Sequence, residues 1–81
     1  MESQKILENL FDKKIVSILR LFLKKKDQQF YLKEISKLTK VPLASTHRIL
    51  KKLEELSLIE KTKIKHLKIY KLAENEKTKY L

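Results

Sequence analysis

The spacing of apolar side chains changes once along this chain, at Leu58, and that change limits the fold more than any other feature of the sequence. Residues 43–57 place apolar or small side chains on one helical face, formed by Thr46, Ile49, Leu50, Leu53 and Leu56. In residues 58–64 and 67–72 apolar and polar side chains alternate at roughly every second position, as they do in β-strands. The pattern therefore predicts a helix followed by a β-hairpin.

The link between the two predicted strands is Lys65-His66. Tight two-residue hairpin loops favour Asn-Gly or Asp-Gly, because these residues tolerate the positive φ angles that such loops need. Neither pair occurs here, so we expect a longer or looser tip.

Three more helices are predicted before residue 43. Ser3 can cap a helix over residues 3–11, and Asp12 can cap a second helix over residues 13–25. A short extended segment at 29–31 leads into a two-turn helix over residues 32–39. Pro42 disfavours helical geometry at the residue before it, so it separates this helix from the next one.

Composition excludes several classes of function. The 81 residues include no Gly and no Cys, which removes Gly-rich phosphate loops, disulfides, thiolate metal sites and Cys nucleophiles. Thr46 and His47 are neighbours, but consecutive helix residues do not face each other, so they cannot form a nucleophile and base. His47 and His66 are too few and too far apart in sequence to suggest a metal site. We expect no enzyme activity, no metal, no cofactor and no evident small-molecule ligand.

The charge balance points to a polyanion. The formal net charge is +10, and residues 41–72 carry eight basic against three acidic side chains, whereas residues 73–81 are neutral. A surplus of this size favours nucleic acid as the partner, with an anionic membrane surface as the second choice. The longest dense apolar stretch, at 15–23, is too short to span a bilayer, and the first residues do not resemble a signal peptide. We therefore expect a cytoplasmic chain that does not act at a membrane.

The order of the predicted elements resembles a winged helix-turn-helix domain. Residues 10–19 (LFDKKIVSIL) look like the first core helix of ArsR-like and MarR-like regulators, particularly archaeal ones. Residues 31–36 (YLKEIS) look like the start of their second helix, and residues 41–53 (VPLASTHRILKKL) look like their recognition helix. Residues 58–61 (LIEK) and 69–72 (IYKL) resemble the two strands of their wing.

This resemblance implies a mainly α-helical α+β fold, with a three-helix core, a hairpin wing and flanking terminal helices. Residues 1–81 would form a single domain with its core at 10–72. Lys40 stands where many such turns carry Gly, so a left-handed backbone is expected there. The resemblance also implies a homodimer built by residues 3–11 and 73–81. The dimerisation residues would be Ile6, Leu7, Leu10, Phe11, Tyr80 and Leu81.

The same resemblance implies a small transcription regulator that binds double-stranded DNA sequence-specifically. The helix over 43–57 would enter the major groove, and Arg48 is the best base reader because its planar guanidinium can bridge two acceptors of guanine. The wing over 58–72 would contact the backbone or the minor groove. The predicted DNA-binding residues are Ala44, Ser45, His47, Arg48, Lys51, Lys52, Lys61, Lys63, Lys65, His66 and Lys68.

Other interpretations of these residues remain open. Lys51 and Lys52 can form an ordinary solvated helix face, and the hairpin lysines can protect an edge strand from aggregation. Thr46 shares the apolar face of its helix, so we expect a core residue there and not a base reader. We expect Tyr31 and Tyr70 to pack within the fold and not to stack on bases. The alternative functions are a protein-interaction or assembly module and a protein that coats nucleic acid non-specifically.

Overall fold

The computed structural model describes the backbone of residues 2–79 and the side chains of residues 13–79. Within residues 2–79 the chain forms four helices and a small antiparallel sheet, which confirms the predicted α+β winged-helix class. The elements are α1 (Glu2–Lys24), β1 (Phe30–Tyr31), α2 (Leu32–Thr39), α3 (Leu43–Glu55), β2 (Ile59–Ile64), β3 (Leu67–Leu72) and α4 (Glu76–Lys79). The sheet has the strand order β1-β3-β2.

α1 is one continuous helix, so the predicted break at Asp12 is wrong. No Gly or Pro lies within it, and an Asp inside a helix costs somewhat less than Gly and far less than Pro. The predicted polar strip is confirmed, since Lys13, Ser17, Arg20 and Lys24 are all exposed. The side chains of the predicted dimerisation residues lie outside the described ones: these are Ile6, Leu7, Leu10, Phe11, Tyr80 and Leu81.

The turn between α2 and α3 depends on a left-handed residue. Lys40 ends α2 with φ 60° and ψ 23°, which confirms the expected left-handed backbone. At the other end of α2, the backbone N–H of Tyr31 donates to a carboxylate oxygen of Glu34 at 3.0 Å. α2 has the predicted bounds, and the predicted extended segment before it forms β1.

The core lies where α1, α2 and α3 meet the sheet. Phe22 of α1 and Phe30 of β1 contact each other edge to face, with ring centroids 5.6 Å apart and planes at 87°. The other buried apolar residues are Ile18, Ile35, Val41, Ile49, Leu50, Leu53, Ile59, Tyr70, Leu72 and Ala73. Thr46 is also fully buried, as predicted.

Leu56 does not belong to this core, although the helical pattern placed it there. Its side chain is 47% exposed, because α3 ends at Glu55 and the chain turns away. Ser57 makes that turn with φ 62°, a second left-handed residue that the pattern did not reveal. The wing strands then begin at Ile59.

The wing is a tight hairpin, so the prediction of a longer tip is wrong. β2 and β3 pair in continuous register from Ile59 opposite Leu72 to Ile64 opposite Leu67. This register leaves Lys65-His66 as a two-residue loop. Lys65 supplies a positive φ of 57°, so a lysine takes the position for which glycine is usual.

The tail forms a single described helical turn, shorter than the helix predicted over 73–81. Asn75 caps it, because its side-chain oxygen accepts the Thr78 N–H at 3.1 Å. The Asn75 amide also donates to the Ser57 carbonyl at 2.7 Å, and the buried Thr78 hydroxyl donates to the Ala73 carbonyl at 2.6 Å. The tail therefore packs against the end of α3 in its own chain.

Candidate nucleic-acid interface

α3 presents its predicted contact residues to solvent because its other face is anchored. Thr46, Ile49, Leu50 and Leu53 are buried, which fixes the rotation of the helix about its axis. The predicted α3 residues then divide into one that is half-buried, Ser45, and five that are exposed: Ala44, His47, Arg48, Lys51 and Lys52.

The wing adds a second cationic surface. Its predicted contact residues Lys61, Lys63, Lys65, His66 and Lys68 are all exposed. The register places Lys63 directly opposite Lys68, so two like charges share one face of the hairpin. Such a pair lowers sheet stability, and a bound polyanion would reverse the effect.

An open groove of about 410 Å³ lies between α3 and the wing. It brings together two predicted residues of the helix, His47 and Lys51, with two of the wing, Lys61 and Lys68. The remaining predicted residues do not line it: these are Ala44, Ser45, Arg48, Lys52, Lys63, Lys65 and His66. The groove thus brings together only part of the predicted set.

Three residues that the sequence pattern did not assign to the site also line this groove: Glu54, Glu55 and Tyr70. A Glu54 carboxylate oxygen lies 3.6 Å from Lys61 Nζ, and each side chain is about one third exposed, at 36% and 35%. A sequence signal for the two acids exists. Glu54 and Glu55 lie three and four residues after Lys51, a spacing that puts side chains on one helix face, so both acids could have been predicted to lie beside a basic residue.

Tyr70 lies at the base of the groove and is buried, at 3% exposure, which confirms it as a packing residue. Burial raises the pKa of its phenol, because the phenolate would lose its water, and the negative charge of Glu54 raises it further. Tyr31, the other tyrosine predicted to pack, is not buried in this way, because its side chain is 43% exposed.

The wing tip carries apolar as well as basic side chains. Ile64 and Leu67, which close the hairpin, are 53% and 55% exposed. Leu67 lines a second, more apolar depression together with Tyr31, Leu32 and His66. The tip therefore offers both charge and apolar surface to a partner.

Among the described residues, no three His, Cys, Asp or Glu side chains are grouped as metal ligands would be. In the same part of the chain, no helix is long and apolar enough to cross a membrane.

A sequence model of the IclR helix-turn-helix domain matches residues 13–63. This match runs from within α1 to β2 and so includes α2, the turn and α3. It is an IclR-type match, and it does not confirm the finer resemblance to ArsR-like or MarR-like regulators. No curated protein has a significantly similar sequence.

Solved structures with this fold include regulators. A possible transcriptional regulator from Methanosarcina mazei Go1 matches with TM-score 0.73 and 17% identity, over 99% of this chain and 72% of that one. The protein AF1382 from Archaeoglobus fulgidus matches with TM-score 0.65 and 20% identity, over 85% and 76% of the two chains. At these identities the two likenesses show the fold.

The ferric uptake regulator from Francisella tularensis, solved with iron, is also similar. The match has TM-score 0.69 and 29% identity, and it covers 78% of this chain. The present chain spans about half the length of that regulator, because the match covers 52% of it.

Proposed function

The chain belongs to the IclR helix-turn-helix domain family. We propose that it is a DNA-binding transcription regulator, in which α3 reads the major groove while the wing holds the backbone or the minor groove. The observation that carries this proposal is the groove in which His47 and Lys51 of α3 face Lys61 and Lys68 of the wing. Two elements distant in sequence thereby bring basic side chains to one groove, where a single polyanion could contact both elements.

Arg48 is the proposed base reader of α3. It is exposed near the middle of the helix, two residues after the buried Thr46 and one before the buried Ile49. Its guanidinium can donate to both acceptors that guanine offers in the major groove, whereas a lysine supplies one point charge. Ala44, Ser45 and His47 would lie against neighbouring bases or phosphates, and Lys51 and Lys52 against the backbone.

The wing would position the domain rather than read sequence. Lys63 and Lys68 lie opposite each other, and Lys65 and His66 form the tip. Lysine ammonium groups suit phosphates because they are flexible point charges. The expected contribution is affinity that depends strongly on salt and weakly on sequence.

We also propose that the regulator works as a homodimer on a pseudo-palindromic site, with half-sites about one helical turn apart. The support is the amphipathic sequence of residues 3–11, whose apolar side chains an 81-residue monomer can cover only in part. Light scattering after size-exclusion chromatography tests it. Replacing Leu7 and Leu10 with Lys should yield monomers, and a wild-type chain that is monomeric at every concentration would refute it.

We propose that the chain acts at the chromosome in the cytoplasm, as a DNA-binding role requires, and we propose no catalytic activity for it. The finer kinship with ArsR-like and MarR-like regulators stays a prediction from the residues that resemble theirs.

Selection of bound sequences from random duplexes would supply the target site, and a two-fold motif would support the dimer as well.

The decisive experiment measures fluorescence anisotropy of labelled duplex, with selected and random sequences, at several salt concentrations. Arg48→Ala should weaken binding to the selected duplex and lower discrimination by about 1–3 kcal/mol at the contacted base pair. The matched control Arg48→Lys keeps the charge, so it should retain the salt slope and lose discrimination. Affinity that ignores salt, or that survives Arg48→Ala with Lys51→Ala, would overturn the proposal.

The two alternative functions predict different results in the same experiment. A protein-interaction module would give no complex with duplex DNA at physiological salt. A non-specific coating protein would bind the selected and random duplexes equally well.

A further inference from the structure

A carboxylate lies inside the basic groove between α3 and the wing, and DNA binding as proposed gives it no role. Glu54 belongs to the last turns of α3, where the negative end of the helix dipole disfavours an acid. It also lines the surface that should attract phosphates. Neither helix stability nor attraction of DNA accounts for a glutamate at this position.

The partner of Glu54 is a residue of the wing. The carboxylate lies 3.6 Å from Lys61 Nζ, and both side chains are about one third exposed. An ion pair this open to solvent contributes little to stability, because water screens it and both side chains lose freedom. Its main effect is therefore on the charge of the groove: an acid of the same chain balances part of the positive charge of Lys61 before any phosphate arrives.

The buried Tyr70 shows that the charge of Glu54 is felt across the groove. Tyr70 lies directly opposite Lys61 in the hairpin register, at the base of the groove. Glu54 contributes to the raised pKa of its phenol. The carboxylate therefore acts on the wing side of the groove as well as on its own helix.

We infer that Glu54 is an affinity-setting residue, which pairs with Lys61 in the groove and so removes one phosphate contact from DNA binding. This inference rests on the proposed function. The Glu54 and Lys61 pair has no net charge, so it displaces no counterion from the DNA phosphates. If Glu54 is made neutral, the positive charge of Lys61 is no longer balanced and becomes available to a phosphate. Since a phosphate contact carries no sequence information, affinity rises without a change in sequence choice.

The test is Glu54→Gln, which keeps the size of the side chain and removes its charge. In the anisotropy experiment, the slope of log affinity against log salt should become steeper by about 0.9, the value for one added phosphate contact. Between about 50 mM and 200 mM salt the variant should then lose about 3.5-fold more affinity than the wild type does. At the low-salt end it should bind several-fold more tightly, by the same factor for the selected and random duplexes.

Two controls separate this effect from a general change in charge. Glu60→Gln makes the same change on the neighbouring residue of β2, whose side chain lies on the opposite face of the strand from Lys61. It should leave the slope nearly unchanged. In a Lys61→Ala background, Glu54→Gln should have no effect on the slope, because the freed cation is gone.

The outcomes are distinct. An unchanged slope in Glu54→Gln overturns the inference, as does an equal change in Glu60→Gln or an effect that survives Lys61→Ala. Reduced discrimination in Glu54→Gln would also overturn it, because the glutamate would then be reading a base. Each of these leaves the proposed function in place, whereas a wild-type chain that binds no duplex removes both. Thermal unfolding of every variant checks that the fold is intact.

Discussion

The hydroxyls of Ser36 and Thr46 donate to the same acceptor, the carbonyl oxygen of Val41, at 2.6 Å and 3.2 Å. Ser36 belongs to α2 and Thr46 to α3, so this oxygen joins the two helices through the turn between them. Thr46 also donates to the Pro42 carbonyl at 3.0 Å. The angle at which α3 leaves the turn is thereby fixed by side chains of both helices.

Replacing Thr46 with Val should destabilise the fold by about 1 kcal/mol, because it removes the hydroxyl while keeping the shape of the side chain. Ser36→Ala should cost a similar amount. The double variant should cost more than the sum of the two, since Val41 is buried and its carbonyl then loses both side-chain donors. Urea denaturation of the four proteins measures this coupling, and strict additivity would contradict it.

Lys40→Gly should stabilise the protein by about 1 kcal/mol. Lys40 has φ 60°, a region that costs a residue with a side chain more than it costs glycine. The matched control is Lys37→Gly, the same exchange three residues earlier in α2, which should destabilise by up to about 1 kcal/mol. Thermal or urea unfolding reports both, and opposite signs for the two variants are the expected result.

Lys63→Ala should weaken binding to all duplexes alike and reduce the steepness of the salt dependence by about 0.9, the loss of one phosphate contact. Lys79→Ala removes an equal charge from the tail, outside the proposed interface, and should leave the slope nearly unchanged. Salt-dependent anisotropy with selected and random duplexes makes the measurement. A larger loss on the selected duplex would instead show that Lys63 reads sequence.

Tyr70 should titrate above the ordinary tyrosine pKa of 10.0, since burial first and Glu54 second disfavour its phenolate. The contribution of the protonated phenol to stability is complete at pH values below 10.0, the ordinary pKa. Between that pH and the raised pKa of the folded chain, the unfolded chain releases the proton first, so the stability of the fold decreases as the pH rises. The difference between the alkaline absorbance titrations of the wild type and Tyr70→Phe isolates this group. A midpoint at or below the ordinary value would contradict the prediction.

Local patterns were enough to predict most of the elements. α2, β1 and the two wing strands follow from apolar spacing, and the left-handed backbone at Lys40 follows from the resemblance to winged helix-turn-helix turns, many of which carry Gly at this position. The errors lie where a local preference was opposed by a longer-range one. The capping preference of Asp12 did not end α1, and the preference for Asn-Gly did not prevent a two-residue wing tip at Lys65-His66.

The sequence by itself determined the helical face of α3, the alternation of the wing and the segment that carries the excess positive charge. These depend on residues a few positions apart, whose relative directions follow from 3.6-residue and two-residue periods. The groove that joins α3 to the wing, with Glu54 beside Lys61 above a buried Tyr70, was decided only by the tertiary structure. Its geometry depends on how Phe22, Phe30 and the rest of the core set the helix against the sheet, and close packing of distant residues has no periodic signature in the chain.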